Sequence, residues 1–463
     1  MKTPHLIAAL LASVFILAFY YDQPPRREQT PEKITITYWE KWTGFEGEAM
    51  KATIDVFNRK KIKNKKGQVI FCKCLSVTQV DRKSALAIAG GQPPDICGFW
   101  EFNTHSFADM GALRPLDDLI ERDKDKIDAS KYIPVFWEMC KHRGKMWCLP
   151  TTPAAVALHW NKDMFREAGL DPEKPPRSIQ ELEEFAEKLT KKDKDGRIIQ
   201  MGFLPPEPGW WHWSWGYFFG GKLNDGLEKL TANDPKNIEA FKWVAKFAEK
   251  YGREDMLAFQ QGFGSFDSPQ NAFLSGRVAM VLQGVWMANF IRFHRPAMKW
   301  GCGPFPSNFD DGGHPVSIGD MDVITIPRGA KHVDEAWEVI KFINSPEGME
   351  YLCGKAEDPT TGEMNNGGQG KLTPFLQDRP GFIERHPHPF LKVFIDLAKS
   401  KNCVPPPKVA VWDEYQKEMT NVFELVWLNK MSAEEALNAA QNRLQPKLDQ
   451  ILKIQKLRED EWK

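Results

Sequence analysis

Residues 33–77 read KITITYWEKWTGFEGEAMKATIDVFNRKKIKNKKGQVIFCKCLSV. The first seven, Lys33 to Trp39, alternate and are rich in β-branched side chains, the pattern of a strand with one face covered. GEAMKATIDVFNRKK then places apolar residues at helical spacing, and QVIFCKCLSV returns to strand character. The stretch therefore predicts a β-α-β unit. Downstream, DRKSALAIAGG reads as a helix, PPDICGFW as a strand, and FADMGALRPLDDLIERD as a helix-like element with a Gly-punctuated turn. Alternation of this kind predicts an α/β fold, with a mostly parallel sheet covered by helices on both faces.

A chain of 463 residues exceeds the roughly 250–300 at which a single hydrophobic core stops growing, so two domains or more are expected. GKMWCLPTTPAAVALHWN offers two β-rich runs split by Pro150 and Pro153, suited to a crossover between domains. A fresh α/β series follows. SIQELEEFAEKLTKK opens with Ser178 and Glu181 in capping-box spacing and holds Ile179, Leu182, Phe185, Ala186 and Leu189 on one face, which predicts a helix. RIIQMGF reads as a strand, and the segment from Ser432 to Lys463 as a helical pair or one long helix.

Balanced charge, 62 basic against 62 acidic side chains, excludes the electrostatic footprint of a general nucleic-acid binder. At the N-terminus, Leu6 to Tyr21 form sixteen residues without a charge, on the border between a signal-peptide core and a short membrane helix. Ala18-Phe19-Tyr20 is a poor cleavage site, so an uncleaved anchor within residues 1–32 is expected, followed by the polar, proline-rich DQPPRREQTPE as a tether. The expected location is the periplasmic or extracytoplasmic face of the membrane. The eight cysteines carry no metal spacing and read mainly as small buried apolar residues, although Cys140 and Cys148 flank a segment, KHRGKMW, that could turn back and bring them together. Asp193, Asp195 and Gly196 resemble part of a calcium loop but lack its terminal Glu, and no metal or cofactor is expected.

The unusual quantity is 17 Trp beside 8 Tyr. Trp210, Trp211, Trp213 and Trp215 fall within GWWHWSWGYFFGG, residues 209–221, where strict alternation requires some of them to be core. A pyranose presents C–H patches on its faces, and an indole offers a rigid flat surface to stack on them. Carboxylates in turn accept bidentate hydrogen bonds from adjacent hydroxyls.

Over nearly all of the exported part the sequence resembles the extracellular solute-binding proteins of ABC sugar importers, the maltose-binding-like family. The segments carrying the resemblance are ITYWEKWTGFEG, PPDICGFWEFNTHSFADMGALRPL, GKMWCLPTTPAAVALHWNKDMFREAGLDPEKPPRSIQELEEFAEKL, GRVAMVLQGVWMANF, and VITIPRGAKHVDEAWEVIKFINSPEGMEYL. The resemblance implies a two-lobed periplasmic binding protein type II fold, its cleft lying between lobes joined by several crossovers. Expected lobe 1 comprises residues 33–152 and 280–335, and lobe 2 residues 153–279 and 336–463. It further implies a non-catalytic monomer that binds a sugar, an oligosaccharide in view of the many tryptophans, and delivers it to ABC permease subunits. The implied contacts are Trp42, Glu46, Trp100 and Glu101 beside the first and third strands, Trp210 and Trp211 as stacking residues, and Trp286, Asp320 and Trp412. The sequence departs from the maltose-binding pattern at Ala154. Two other classes share a cleft of tryptophans and acids: a glycoside hydrolase, which needs two carboxylates at a defined separation, and a binder of a quaternary ammonium solute held in an aromatic cage. GGQGKLT, Gly367 to Thr373, is a near miss to a phosphate-binding loop and reads as a flexible loop.

Overall fold

The computed structural model of the protein describes residues 32–309 and 312–461. The expected N-terminal anchor lies outside them, and among the described residues no helix is long and apolar enough to cross a membrane.

The β-α-β unit forms as read. Strand β1 (Lys33–Glu40) pairs in parallel with β2 (Val69–Ser76) through helix α1 (Gly44–Arg59), and β3 (Ile96–Trp100) adds in parallel on the other side of β1. Helix α1 starts three residues before the apolar periodicity does, because Glu46 in its first turn suits the positive end of the helix dipole. The two prolines of LPTTPAAVALHWN do not split it: β4 (Leu149–Asn161) is one strand of 13 residues containing both. The sheet continues through β5 (Ile198–Phe203), β6 (Val278–Gly284), β7 (Trp300–Gly303) and β8 (Ser317–Thr325). Its order is β2-β1-β3-β8-β4-β6-β5, with β7 beside β4. The sheet is mixed rather than mostly parallel, since β8 runs antiparallel to both β3 and β4, and β4 antiparallel to β6 and β7.

Those long antiparallel strands join two hydrophobic cores. Leu149, Ala154, Ala155 and Ala157 of β4 pack in the first core, whereas Val156, Leu158 and Trp160 pack in the second. Ile318 of β8 belongs to the second and Met321, Val323 and Ile324 to the first. The expected lobe borders need correction accordingly. Residues of 280–318 such as Met280, Leu282, Phe305 and Val316 lie in the second core. Helix α2 (Val333–Ile343), which the expected border at 335/336 divides, and α3 (Leu391–Lys399), expected in lobe 2, bury Trp337, Ile340, Phe394 and Leu397 in the first. The reason is local: once β8 has carried the chain back, the amphipathic helices after it cover the sheet they have just left. A third crossing, through the proline-rich segment Val404–Val411, then leads to α4 (Trp412–Trp427) and one long terminal helix, α5 (Ala433–Glu461), both packed in the second core.

The helix predicted from SIQELEEFAEKL runs Ile179–Leu189, with the Ser178 hydroxyl accepting from Glu181 N–H at 3.0 Å. The Glu181 carboxylate reaches the Arg177 N–H instead of closing the box on Ser178.

Candidate binding site

A cavity of about 410 Å³ lies where the two cores meet. This is within the span of about 300–1,000 Å³ usual for small-molecule sites. Its first wall is built on the turn after β1. The Glu40 carboxylate accepts from the Lys41 N–H at 2.7 Å and the Trp42 N–H at 3.2 Å, which fixes the chain direction as it leaves the strand. Gly47 lets α1 approach: a Cβ there would stand 2.6 Å from the Trp42 carbonyl oxygen. The Trp42 indole N–H donates to Asp322 Oδ2 at 2.8 Å, and its ring meets Trp100 edge-on at 5.8 Å. Trp100 in turn stacks with Phe102 at 6.0 Å.

Asp322 is the hub of this wall. Its carboxylate pairs with Lys41 Nζ at 3.0 Å and Lys371 Nζ at 3.2 Å, and it also accepts from the Thr152 hydroxyl. Burial opposes its charge, but Lys371 and Lys41 outweigh burial and hold the carboxyl well below the usual range. Lys371 also pairs with Glu46 at 3.1 Å. Burial likewise works against the Lys371 ammonium, yet Asp322 and Glu46 raise its pKa above the ordinary lysine value. Both ammonium groups lie over the Trp42 ring, Lys371 at 4.9 Å and Lys41 at 5.0 Å from its centroid. Asp320, two positions earlier on β8, is half-buried; burial and then the charge of Asp322 push its carboxyl up to about 6.

The second wall is aromatic. GWWHWSWGYFFGG is neither strand nor α-helix: His212–Phe219 form a 3₁₀ helix, a tight turn in which successive side chains fan out in different directions. Trp210 and Trp211 meet at 6.3 Å, and Trp286 lies 5.7 Å from Trp210 and 6.3 Å from Trp211. Phe266 packs edge-on to Trp210 at 4.5 Å, and Trp213 edge-on to Trp412 at 5.1 Å. Gly284 leaves room for the Trp286 ring, because a Cβ there would fall 2.4 Å from it. Trp215 turns away into the core against Phe203, Trp243 and Phe305. Trp210 and Trp286 are half-buried, whereas Trp211, Trp213 and Trp412 are buried. Among the described residues, the indole N–H groups of Trp211, Trp213, Trp286 and Trp412 have no protein acceptor.

Of the residues singled out from sequence, Trp42, Glu46, Trp100, Trp210, Trp211, Trp286, Asp320 and Trp412 all line the cavity. Glu101 does not. It is 3% exposed in a turn behind Trp100, where burial pushes its carboxyl up to about 8, Lys408 opposing and Asp320 adding to the rise. The cavity also brings in Thr152, Trp213, Phe290, Asp322 and Lys371. Asp322 could have been found, since residues two apart on a strand share a face and Asp320 had been noted. Lys371 gave no such signal. The loop around it is pinned: Gln369 Nε2 donates to the Glu46 carbonyl at 3.1 Å, Asn289 Nδ2 donates to the Gln369 carbonyl at 2.7 Å, and Lys371 is buried. The reading of GGQGKLT as a flexible loop is thereby corrected. Among the described residues, no group of three or more His, Cys, Asp or Glu is placed to hold a metal ion.

A wider groove of about 890 Å³ runs along the crossover, lined by Glu138, Lys141, Arg143, Lys222 and Lys408 and sharing only Pro406 with the cavity. It is more open and lacks the facing tryptophans, so the smaller cavity is the candidate site.

Comparison with known proteins agrees with this geometry. Residues 76–350 match the family model described as bacterial extracellular solute-binding protein. The maltotriose-binding protein of Pyrococcus abyssi is 25% identical over 351 residues, 74% of this chain and 69% of that protein. The sn-glycerol-3-phosphate-binding periplasmic protein of Escherichia coli is 23% identical over 423 residues, covering 87% and 90%. Among solved structures, CpMnBP1 with mannotriose bound superimposes with a TM-score of 0.71 at 27% identity, over 89% of this chain and 99% of that one. The sugar-binding protein MalE from Xanthomonas citri gives a TM-score of 0.71 at 18% identity, over 91% and 99%. With two lobes joined by β4 and β8, an aromatic cavity between them and a family match across more than half its length, the chain belongs to the bacterial extracellular solute-binding proteins.

Proposed function

We propose that the protein captures a neutral oligosaccharide in this cavity by closure of its two lobes and delivers it to the permease of an ABC importer. The observation that carries the reading is the division of the cavity walls: Trp42 and Trp100, at the ends of β1 and β3, line one side and Trp210, Trp211, Trp213 and Trp412, packed in or against the second core, the other, so a solute lying between them touches both at once. A ligand that contacts both walls only when they approach stabilises the closed arrangement by that difference. Each ring stacked on an indole contributes about 0.5–1.5 kcal/mol beyond its buried area. Hydroxyls also offer acceptors to buried indole N–H groups, each of which costs about 1–3 kcal/mol when left unpaired.

Charge argues for a neutral solute over a phosphorylated one such as the E. coli relative binds. The cavity lining carries Glu46, Asp320 and Asp322 against the single ammonium of Lys371, which is already paired with two of them. Lys41 balances Asp322 from behind the lining, so both ammonium groups are already engaged and a phosphate dianion would face Asp320 with no unengaged cation among the described lining residues. The reading is one of binding without chemistry: Asp322 and Glu46 are held by Lys371, which ill suits either to the free acid and base pair that glycoside hydrolysis requires. The apolar run Leu6 to Tyr21 would keep the protein at the outer face of the membrane, near its permease.

Tryptophan fluorescence and thermal shift test the proposal with mannotriose, maltotriose, sn-glycerol 3-phosphate and choline. A saturable spectral change and a raised melting temperature with a neutral sugar recovered intact are expected. Cleavage of the sugar, or a response to glycerol phosphate or choline alone, would overturn it.

A further inference from the structure

The segment KHRGKMW does turn back on itself. Lys141 pairs with Met146 and His142 with Lys145 in an antiparallel hairpin, and the Trp147 N–H donates to the Cys140 carbonyl at 3.1 Å, extending the ladder by one rung. Cys140 and Cys148 stand at the mouth of this hairpin. Both are completely buried free thiols in the structure: Cys148 Sγ lies 4.0 Å from the Cys140 carbonyl oxygen and accepts from the Thr104 hydroxyl at 3.9 Å, while the Cys140 thiol donates to the Phe136 carbonyl at 3.4 Å. The other thiols are placed differently. Cys72 and Cys74 sit two apart on β2, where the rise of an extended strand keeps their Cα atoms about 7 Å apart, at the limit for a bridge. Cys97 contacts Ser84, Cys302 contacts His159, and Cys353 contacts the Thr151 carbonyl.

We propose that Cys140 and Cys148 form a disulfide in the exported protein. The extracytoplasmic compartment in which this family works is oxidising, as bridge formation requires. The oxidant is a protein or small-molecule disulfide of that compartment. One cysteine thiolate attacks the donor disulfide, giving a mixed disulfide and releasing one donor thiolate. The second cysteine thiolate then attacks the first cysteine's sulfur, forming the Cys140–Cys148 bond and releasing the other donor thiolate. The two thiol protons end on the donor, which leaves as two thiols having gained the electron pair. The exchange precedes closure of the core, since the folded protein covers both sulfurs.

The bridge would lock a hairpin on which other parts of the molecule rest. Lys408, from the third crossing, donates to the carbonyls of Glu138 and Lys141, the latter at 2.7 Å. At the hairpin tip, Arg143 pairs with Asp109 at 2.8 Å and reaches Gln455 of α5. Thus the covalent tie sits beside contacts between the first core, the crossover and the terminal helix.

The test uses the full chain isolated from its extracytoplasmic location, quenched in acid, denatured, and alkylated without reductant. Six of the eight cysteines are expected to label, and a peptide pair joined through 140 and 148 should appear about 2 Da lighter than its reduced form. Reductant should restore labelling of all eight and lower the melting temperature. A C140S/C148S double variant should label six cysteines in either condition, with a melting temperature indifferent to reductant. Labelling of all eight in the untreated wild type, or a bridge mapped to another pair, would overturn the proposal whether or not the double variant folds. None of these readouts depends on sugar binding, so the two proposals fail separately.

Discussion

The wall contributed by the first core is charged and internally bonded: Trp42 is held by Asp322, and Asp322 by Lys41, Lys371 and Thr152. The wall contributed by the second core is a set of indoles and phenyl rings in edge and tilted contact, several without acceptors for their N–H groups. One wall is therefore rigid before any solute arrives, its polar groups satisfied by each other. The other offers area and rigid faces but little direction. A site divided in this way separates orientation from adhesion: the ion network sets where the Trp42 and Trp100 faces lie, and the second-lobe aromatics add contact as the lobes approach. Under the proposed function, buried charges can surround an uncharged ligand because they are spent on one another.

The comparison can be broken most severely at its hub. Asp322→Ala removes the counter-charge that Lys41 and Lys371 share, leaving Lys371 to Glu46 alone and Lys41 to Glu40 at 3.8 Å, and should cost about 3 kcal/mol of folding stability in urea unfolding, the lower end for breaking a buried pair; a loss under about 1 kcal/mol would mean the network is not a supporting frame. On the opposite wall, Trp286→Ala should leave stability less affected and weaken oligosaccharide binding by about 2 kcal/mol, roughly thirtyfold, as truncation of a central aromatic contact does. Unaltered affinity would remove Trp286 from the site. The buried carboxyl of Glu101, raised to about 8, is predicted to act on stability rather than on binding. Between the ordinary Glu value and 8 the folded state holds a proton that the unfolded chain has lost, so stability falls as pH rises, by about 1.4 kcal/mol per pH unit from this group. Glu101→Gln should flatten the stability profile between pH 5 and 8; an unchanged slope would contradict the assignment. The smallest effect is expected from Trp42→Phe, which keeps a ring but removes the N–H donated to Asp322, for about 1 kcal/mol of affinity. Isothermal titration would show it, and a loss as large as that of Trp286→Ala would mean that the two walls do not differ in role.

Periodicity was enough for the elements around the first strand and for the capped helix at Ile179–Leu189, because each carries its own apolar face; at the C-terminus it gave helix without deciding between a pair and the single helix that forms. It misread β4, where Pro150 and Pro153 looked like breaks; both face β8, on either side of a register shift between Asp322 and Val323, and such an irregular ladder tolerates residues that cannot donate. Lobe borders were also misplaced, since which core a helix joins depends on the sheet the chain has just left, and no local pattern encodes that. In the site, tryptophans stood out by rarity and by the family resemblance that pointed to Trp286. Lys371 did not, because its role comes from Glu46 and Asp322, 325 and 49 residues away in sequence. Glu101 illustrates the converse: adjacent to a cavity-lining Trp100, it turns inward.

The most direct test of the account is calorimetric titration of mannotriose into the wild-type protein and into Trp286→Ala, side by side with sn-glycerol 3-phosphate. The account predicts saturable, single-site binding of the trisaccharide that the substitution weakens about thirtyfold, and no binding of the phosphate. Binding of the phosphate ester alone, or trisaccharide binding indifferent to the loss of the indole, would contradict it.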